Sequence, residues 1–194
     1  SKRGALDLPS GRKFYVGPIP RLGCFSFFVS SNLFLILFSV IDCFFFPSDF
    51  LWKINFPWLI VGSFIMLGIG AVDDFRRIPA SLKFFFQIIS GLVVALACVK
   101  IQVITLPFGT VDLGIWSIPV TILWVVAITN AINLLDGLDG LAAGTTFIVC
   151  LAMFGISLLN QNIGIALCSA ILGGSILGFL KYNFYPASIF LGDS

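Results

Sequence analysis

The hydrophobic pattern of the chain consists of long uncharged runs separated by short polar segments. Four such runs cover residues 22–41, 54–72, 84–99 and 113–135. A helix needs about 20 mostly apolar residues to cross the roughly 30 Å hydrocarbon core of a membrane. The third run is short, but the lysines on either side of it can extend their side chains to the two membrane interfaces. Each run is therefore predicted to form a transmembrane helix.

A fifth uncharged run, residues 140–180, is too long for one span. As a single helix it would reach about 60 Å, which is twice the thickness of the hydrocarbon core. The polar tripeptide Asn160-Gln161-Asn162 is the natural point for a break, which gives six spans in total. Between the third and fourth spans, residues 101–118 alternate apolar and polar side chains around a Pro-Phe-Gly-Thr sequence. This pattern is typical of a short β-hairpin, here expected outside the membrane.

Composition agrees with this pattern, because 59% of the 194 residues are hydrophobic and only 10% are charged. Soluble domains have about 25% charged residues. We therefore predict an all-α polytopic membrane helical bundle that forms a single domain over residues 1–194. The net charge of +2 does not indicate a nucleic-acid partner. Five scattered cysteines and the lack of histidine do not favour a zinc site or disulfides.

The distribution of charge predicts the topology. Five of the eleven basic residues lie within residues 1–21, before the first span, so this segment is predicted to be cytoplasmic. Six spans, over residues 22–182, then return the chain to the cytoplasm for residues 183–194. All basic residues except Lys53 and Lys100 fall on this side. Three loops far apart in sequence would thus present acidic side chains at one membrane face.

The first of these polar segments follows the second span and reads Asp73-Asp74-Phe75-Arg76-Arg77. Adjacent carboxylates repel each other unless a cation or a basic side chain lies between them. The segment therefore favours a site for Mg²⁺ or its surroundings, with the arginines binding phosphate oxygens. The alternative is a solvated loop that only marks the end of the span.

The second segment places Asn130, Asn133 and Asp136 three residues apart at the end of the fourth span. This spacing keeps the three side chains near one face of a helix. Gly137 and Gly140 then end the helix and allow the backbone to approach a ligand. Amide and carboxylate oxygens suit a hard cation such as Mg²⁺. The alternative is hydrogen bonding between helices, which asparagine provides in many membrane bundles.

The third segment, Gly192-Asp193-Ser194, indicates little alone because such sequences are common in turns. In this order, however, the three segments resemble those of the polyprenyl-phosphate N-acetylhexosamine-1-phosphate transferases. The similar pieces cover about a third of the chain and are spread across all of it: RKFYVGPIPRLG (12–23), GAVDDFRRIPASLKFFFQ (70–87), NAINLLDGLDGLAAG (130–144) and KYNFYPASIFLGDS (181–194).

The opening piece is more similar to the branch that starts teichoic acid, O-antigen or enterobacterial-common-antigen-type polysaccharides than to the phospho-N-acetylmuramoyl-pentapeptide transferases. Two positions depart from that branch. Tyr15 stands where the branch usually has histidine, which puts any contact of that histidine in doubt. Cys24 replaces a glycine, a change that we expect to be tolerated.

The resemblance implies transfer of N-acetylhexosamine-1-phosphate, expected to be GlcNAc-1-phosphate, from a UDP-sugar to undecaprenyl or another polyprenyl phosphate. UMP would be released at the cytoplasmic face of the bacterial plasma membrane. The implied cofactor is Mg²⁺, with Mn²⁺ as an alternative, and a homodimer is an assembly that the resemblance allows. Members of the family have ten or eleven spans, so we expect the chain to be a fragment truncated at both ends and inactive by itself.

The resemblance also assigns roles to residues of the three segments. It implies Asn133 and Asp193 as metal ligands. Catalytic roles are implied for Asp73, Asp74, Asp136 and Asp139, and substrate-binding roles for Arg76, Arg77, Lys83, Asn130 and Gly137.

A lipid phosphate, with a second pKa near 6, is largely ionised at neutral pH, and a carboxylate with an ordinary pKa of about 3.9 is a weak base. We therefore expect the paired aspartates to position the lipid phosphate and organise the metal rather than to remove a proton.

Two other classes of function are alternatives to an enzyme. A cation or proton carrier would also use carboxylates within a membrane, but carriers place them near the bilayer midplane. Here the acidic residues occur at the ends of the uncharged runs. A non-catalytic scaffold would not require asparagines and aspartates to cluster at these ends.

Overall fold

The computed structural model describes residues 6–7, 19–20, 23–45, 56–76, 78–97 and 99–192. Within them, six helices of 17 to 23 residues follow the predicted runs. Their bounds are α1 Gly23–Phe45, α2 Phe56–Arg76, α3 Ala80–Leu96, α4 Ser117–Leu135, α5 Leu141–Leu159 and α6 Ile163–Asn183. The predicted helical membrane bundle is confirmed.

Four of these helices, α2, α4, α5 and α6, are long and apolar enough to cross a membrane. Two further segments, Gly23–Phe38 of α1 and the whole of α3, are apolar but shorter. The chain is therefore a multi-pass membrane protein.

Two short antiparallel strand pairs lie outside the helices. Strands β1 (Leu6–Asp7) and β2 (Ile19–Pro20) form one pair, and β3 (Val103–Leu106) and β4 (Gly109–Asp112) form the other. The second pair confirms the hairpin predicted within residues 101–118, and all of its side chains are exposed. A single 3₁₀ turn, Gly114–Trp116, then leads into α4.

The long uncharged run breaks where the polar tripeptide predicted. Asn160 and Gln161 form a turn, and Gln161 adopts a left-handed backbone with φ of 55°. Asn162 begins the next helix, because its side-chain oxygen accepts a hydrogen bond from the backbone N–H of Ile165 at 3.2 Å. An asparagine cap of this kind satisfies a donor that the first helical turn would otherwise leave unpaired.

Helices that follow one another in sequence pack side by side, and α1 packs against α6. Two glycines allow close approach. A Cβ on Gly173 would lie 3.2 Å from Cβ of Cys150, and one on Gly91 would lie 3.3 Å from Cα of Ile122. Small residues serve this purpose in many membrane bundles, where dispersion contacts between closely spaced helices hold the bundle together.

An open groove of about 820 Å³ lies between α1 and α6. Its walls are mostly apolar, and Gly174 and Gly178 line it on the α6 side. Positions for a Cβ on these two glycines have no atom within 4 Å. Among the described residues, therefore, these glycines face the groove and do not contact a neighbouring helix.

Candidate active site at one end of the bundle

The paired aspartates of the first segment lie within the last turn of α2, since this helix continues to Arg76. Asp73 is only 5% exposed and Asp74 is half-buried. The helix extends beyond the uncharged run because backbone hydrogen bonds do not require apolar side chains. The alternative of a solvated loop is therefore wrong for Asp73.

Asp73 is held by the polypeptide that follows it. Its Oδ2 lies 2.5 Å from Nζ of Lys83, in the first turn of α3. Its Oδ1 accepts a hydrogen bond from the backbone N–H of Ile78 at 2.7 Å. Both carboxylate oxygens thus have partners, which fixes the anion and joins the end of α2 to the start of α3. Lys83, predicted to bind phosphate, contacts this carboxylate.

One turn further along α3, Gln87 is buried and receives a hydrogen bond from α4. Nδ2 of Asn130 donates to Oε1 of Gln87 at 2.7 Å and also to the carbonyl of Val126 at 2.8 Å. Asn130 therefore links α3 and α4. This is the alternative role that the sequence left open for the asparagines, namely hydrogen bonding between helices. A contact between Asn130 and substrate stays a prediction.

The next polar residues of α4 lie nearer to its end. Asn133 is exposed, and its side chain makes no hydrogen bond to any residue that the structure describes. Asp136 is half-buried and ends the helix, with its backbone N–H donating to the carbonyls of Ile132 and Asn133 at 3.2 and 3.3 Å. Gly137 follows in an exposed turn. The helix thus ends just before Gly137, the first of the two glycines predicted to end it.

Helices α3 and α4 are antiparallel, because Gly91 contacts Ile122 while Gln87 contacts Asn130. Moving one turn along α4 from Asn130 to Asn133 therefore corresponds to moving one turn back along α3, toward Lys83. Asn133 thus lies about level with the turn of α3 that pairs with Asp73. The first and second polar segments share one end of the bundle.

The turn between α4 and α5 depends on Gly140, which has φ of 71°. A Cβ at this position would lie 3.3 Å from a ring carbon of Phe184. Glycine is favoured here for both reasons. The close approach observed at this glycine is to the segment after α6, whereas the predicted approach to a ligand stays a prediction. Gly137 has no such constraint, since the nearest atom to a Cβ there is 3.9 Å away.

The segment after α6 is fastened to the second segment and to α1. Oδ2 of Asp139 accepts a hydrogen bond from the backbone N–H of Ala187 at 3.0 Å. Nδ2 of the buried Asn183 donates to the carbonyl of Ile189 at 2.9 Å. The backbone N–H of Cys24, which is buried, donates to the carbonyl of Leu191 at 2.8 Å. This arrangement brings the described residues after α6, up to Gly192, to the same end of the bundle.

Sequence reasoning missed two of these residues, Gln87 and Asn183. The available signal was a strongly polar side chain that the surrounding apolar run did not explain. Arg76 is exposed at the end of α2, whereas Arg77, Asp193 and Tyr15 lie outside the described residues. Among the described residues, no three His, Cys, Asp or Glu side chains gather as a metal site, so the Mg²⁺ ligands Asn133 and Asp193 stay a prediction.

Comparison with known proteins agrees with the motif resemblance. Residues 56–194 match the family described as Glycosyl transferase family 4. A probable undecaprenyl-phosphate N-acetylglucosaminyl 1-phosphate transferase of Bacillus subtilis is 36% identical over 100% of this chain and 52% of its own length. A decaprenyl-phosphate N-acetylglucosaminephosphotransferase of Mycobacterium tuberculosis is 35% identical over 100% of the chain and 50% of its own length.

A phospho-N-acetylmuramoyl-pentapeptide-transferase of Chlorobium phaeobacteroides is 34% identical over 82% of the chain and 52% of its own length. The chain thus spans about half the length of these curated relatives. The match over residues 56–194 and the identity across the whole chain lead to one conclusion: the chain belongs to glycosyl transferase family 4.

Proposed function

We propose that the protein transfers N-acetylglucosamine-1-phosphate from UDP-N-acetylglucosamine to a polyprenyl phosphate and so begins the synthesis of a cell-envelope polysaccharide. An oxygen of the lipid phosphate attacks the β-phosphorus of the nucleotide sugar. The bond between this phosphorus and the bridging oxygen breaks, and UMP leaves with the electron pair. The product is a lipid-linked diphospho-sugar. The reaction takes place at the cytoplasmic face of the bacterial plasma membrane.

One observation carries the proposal: the chain is similar, over its entire length, to two relatives whose names state this type of transfer. The structure adds that polar segments far apart in sequence meet at one end of an apolar bundle. A reaction between a water-soluble nucleotide and a membrane lipid requires a site at such a boundary. A carrier, in contrast, would need its carboxylates near the bilayer midplane.

The side chains at this end are chemically suited to Mg²⁺. Asn133 is exposed and has an amide oxygen, Asp136 adds a half-buried carboxylate, and the whole chain contains no histidine. Oxygen ligands are those that Mg²⁺ prefers. We propose Asn133 and Asp193 as its ligands. When bound, the ion would neutralise the charge of the diphosphate, on which phosphoryl transfer depends.

The contacts of Asp73 support a positioning role for this residue. A carboxylate paired with a lysine and hydrogen-bonded to a backbone N–H is held in one orientation. It is therefore well suited to fix the geometry of neighbouring groups. Asp73 and Lys83 therefore hold the lipid-phosphate side of the site, and the half-buried Asp74 extends from the same helical turn.

The test is a transfer assay on the complete gene product in membrane vesicles. UDP-GlcNAc and UDP-N-acetylmuramoyl-pentapeptide are each supplied with polyprenyl phosphate, and UMP is measured. We expect UMP only with UDP-GlcNAc. Preference for the muramoyl donor would overturn the proposed donor and favour the phospho-N-acetylmuramoyl-pentapeptide transferases. No UMP with either donor would overturn the proposed reaction.

A pair of variants makes the assay specific to the candidate site. Asp136→Asn changes a half-buried carboxylate at the end of α4, and we expect it to lower the rate by about 10-fold to 1,000-fold. Asp112→Asn makes the same chemical change on the exposed hairpin. We expect this control to transfer at the parent rate. Equal rates for the two variants would remove Asp136 from the site.

A further inference from the structure

The buried face of α3 carries three polar side chains, Lys83, Gln87 and Ser90, at the spacing of one helical face. Lys83 pairs with Asp73 at the end of α2, and Oγ of Ser90 donates to the carbonyl of Gly62 in α2 at 3.0 Å. Gln87 lies between these two residues but contacts the opposite neighbour, α4. Polar contacts therefore hold α3 to both of its neighbours.

The bond between Gln87 and Asn130 is short, and the residue that accepts it is buried. The distance from Nδ2 of Asn130 to Oε1 of Gln87 is 2.7 Å, and Gln87 is 7% exposed. Because Gln87 is buried, breaking the bond leaves its Oε1 without this donor, which costs free energy. A directional hydrogen bond restricts the rotation of a helix against its neighbour more strictly than apolar contacts do.

The position of this bond on α4 gives it a consequence for the site. Asn130 lies one turn before Asn133 and near the same helical face. Fixing the rotation of α4 at Asn130 therefore also fixes the direction in which Asn133 projects. The side chain of Asn133 makes no hydrogen bond to a described residue, so no such bond fixes its direction.

We propose that Gln87 is a positioning residue that sets the rotation of the end of α4, so that Asn133 and Asp136 are held at a fixed place relative to Asp73. This inference rests on the proposed function for its catalytic consequence. In this proposal Gln87 acts on the site through its neighbours rather than by contact with substrate or metal. It acts through Asn130, in the same way that Lys83, one turn away on α3, fixes Asp73.

The principal test replaces Gln87 in the complete gene product in membrane vesicles. Gln87→Leu keeps a similar volume but removes the acceptor. We expect the rate to fall by about 10-fold to 100-fold, because small misplacements of positioning groups have effects of that size. We also expect the Mg²⁺ concentration for half-maximal activity to rise. A merely structural residue would not change the Mg²⁺ requirement of the molecules that remain folded.

Two further variants separate positioning from general packing. Ser90→Ala removes another buried hydrogen bond of α3, the one to Gly62 in α2, and we expect an unchanged Mg²⁺ requirement. The double variant Gln87→Asn/Asn130→Gln exchanges the two side chains and keeps their combined length. We expect it to recover the Mg²⁺ requirement that each single change raises. Absence of this recovery, in a double variant that is folded, contradicts the proposal.

A measurement without catalysis makes the inference independent of the proposed reaction. A cysteine introduced by Asn133→Cys is labelled with a water-soluble maleimide, and the labelling of the chain without it is subtracted. We expect Gln87→Leu to change the labelling rate by at least about twofold, because the end of α4 turns, and Ser90→Ala to leave it unchanged. An unaltered rate in Gln87→Leu overturns the inference. Lack of transfer by the parent protein overturns only the proposed function.

Discussion

Individual polar side chains in this protein differ in how many of their polar atoms have a hydrogen-bond or ion-pair partner within the protein. Both oxygens of Asp73 have partners, and Oδ2 of Asp139 is bound by the backbone of Ala187. Asn133, in contrast, is exposed without a side-chain hydrogen bond among the described residues. We infer that the first two mainly hold the site together and that Asn133 is available to a ligand.

Replacement of Asp139 tests this division. Asp139→Ala removes the acceptor for the N–H of Ala187, and loss of a hydrogen bond to a charged group is expected to lower stability by about 1–3 kcal/mol. Asp139→Asn keeps an oxygen at this position and should retain most of that stability. Thermal unfolding in detergent measures both. Equal stability of the alanine and parent proteins would show that the hydrogen bond does not hold the segment after α6.

The pair of Asp73 and Lys83 gives a second prediction. Lys83→Met leaves Asp73 buried without its lysine, and we expect a loss of about 1–3 kcal/mol, reduced from the value for fully buried pairs because Lys83 is 27% exposed. Adding Asp73→Asn should restore much of the stability but not the transfer activity. Chemical denaturation and the UMP assay measure the two effects. Restored activity in the double variant would mean that the charge of Asp73 is not required.

For individual residues, the sequence indicates well which side chains belong to the candidate site, but it indicates poorly which residues they contact. Asp73, Asp136 and Asn133 are conspicuous because they occur at the ends of uncharged runs. Their contact partners are not conspicuous in the sequence, since Lys83 and Asp73 are joined only when α2 and α3 pack. The bond between Asp139 and Ala187 joins residues 48 positions apart. Local periodicity contains no information about such contacts.

The helices were predictable because a membrane imposes a strong pattern on each of them, whereas the strand pair β1 and β2 was not predicted. The break near Asn160, the number of long helices and the hairpin within residues 101–118 follow from run length and alternation. Helix ends were less predictable. α2 continues past its apolar run to Arg76, and α4 begins at Ser117 after a 3₁₀ turn. Charge marks where apolar surface ends, and the backbone can continue its helix beyond that point.

The contact between α3 and α4 yields a prediction for an element. Gly91→Leu places a side chain against the backbone of α4, 3.3 Å from Cα of Ile122 even at the Cβ position. Overpacking of this kind typically lowers stability by about 1–3 kcal/mol, and it should also weaken the bond of Gln87. Gly68→Leu is the matched control, because a Cβ there meets no atom within 4 Å. Equal thermal stability of the two variants would contradict the close approach of α3 and α4.

The whole molecule brings together polar segments that lie more than a hundred residues apart in sequence. Contacts from α2 to α3, from α3 to α4 and from Asp139 to the described residues after α6 place the described parts of these segments at one end. The hairpin leaves the opposite end of α3, so its tip is expected on the other side of the membrane. Positive charge before the first span predicts that the polar end is cytoplasmic.

Labelling from each side of the membrane tests this topology. A cysteine at Phe108, which is 98% exposed at the hairpin tip, should react with an impermeant maleimide added outside intact cells. A cysteine at Gly137, exposed between α4 and α5, should react only after the membrane is opened. Each signal is compared with that of the chain without the added cysteine. The reverse pattern would place the candidate active site outside the cell.

The most direct test of the account follows the β-phosphate of the donor. UDP-GlcNAc labelled with ³²P at the β-position is incubated with polyprenyl phosphate, Mg²⁺ and vesicles that contain the complete gene product, and the lipid is extracted. The account predicts that the label enters the lipid fraction together with the sugar, since the β-phosphorus forms the new bond. Sugar in the lipid fraction without ³²P would mean that the sugar alone is transferred, which would contradict the account.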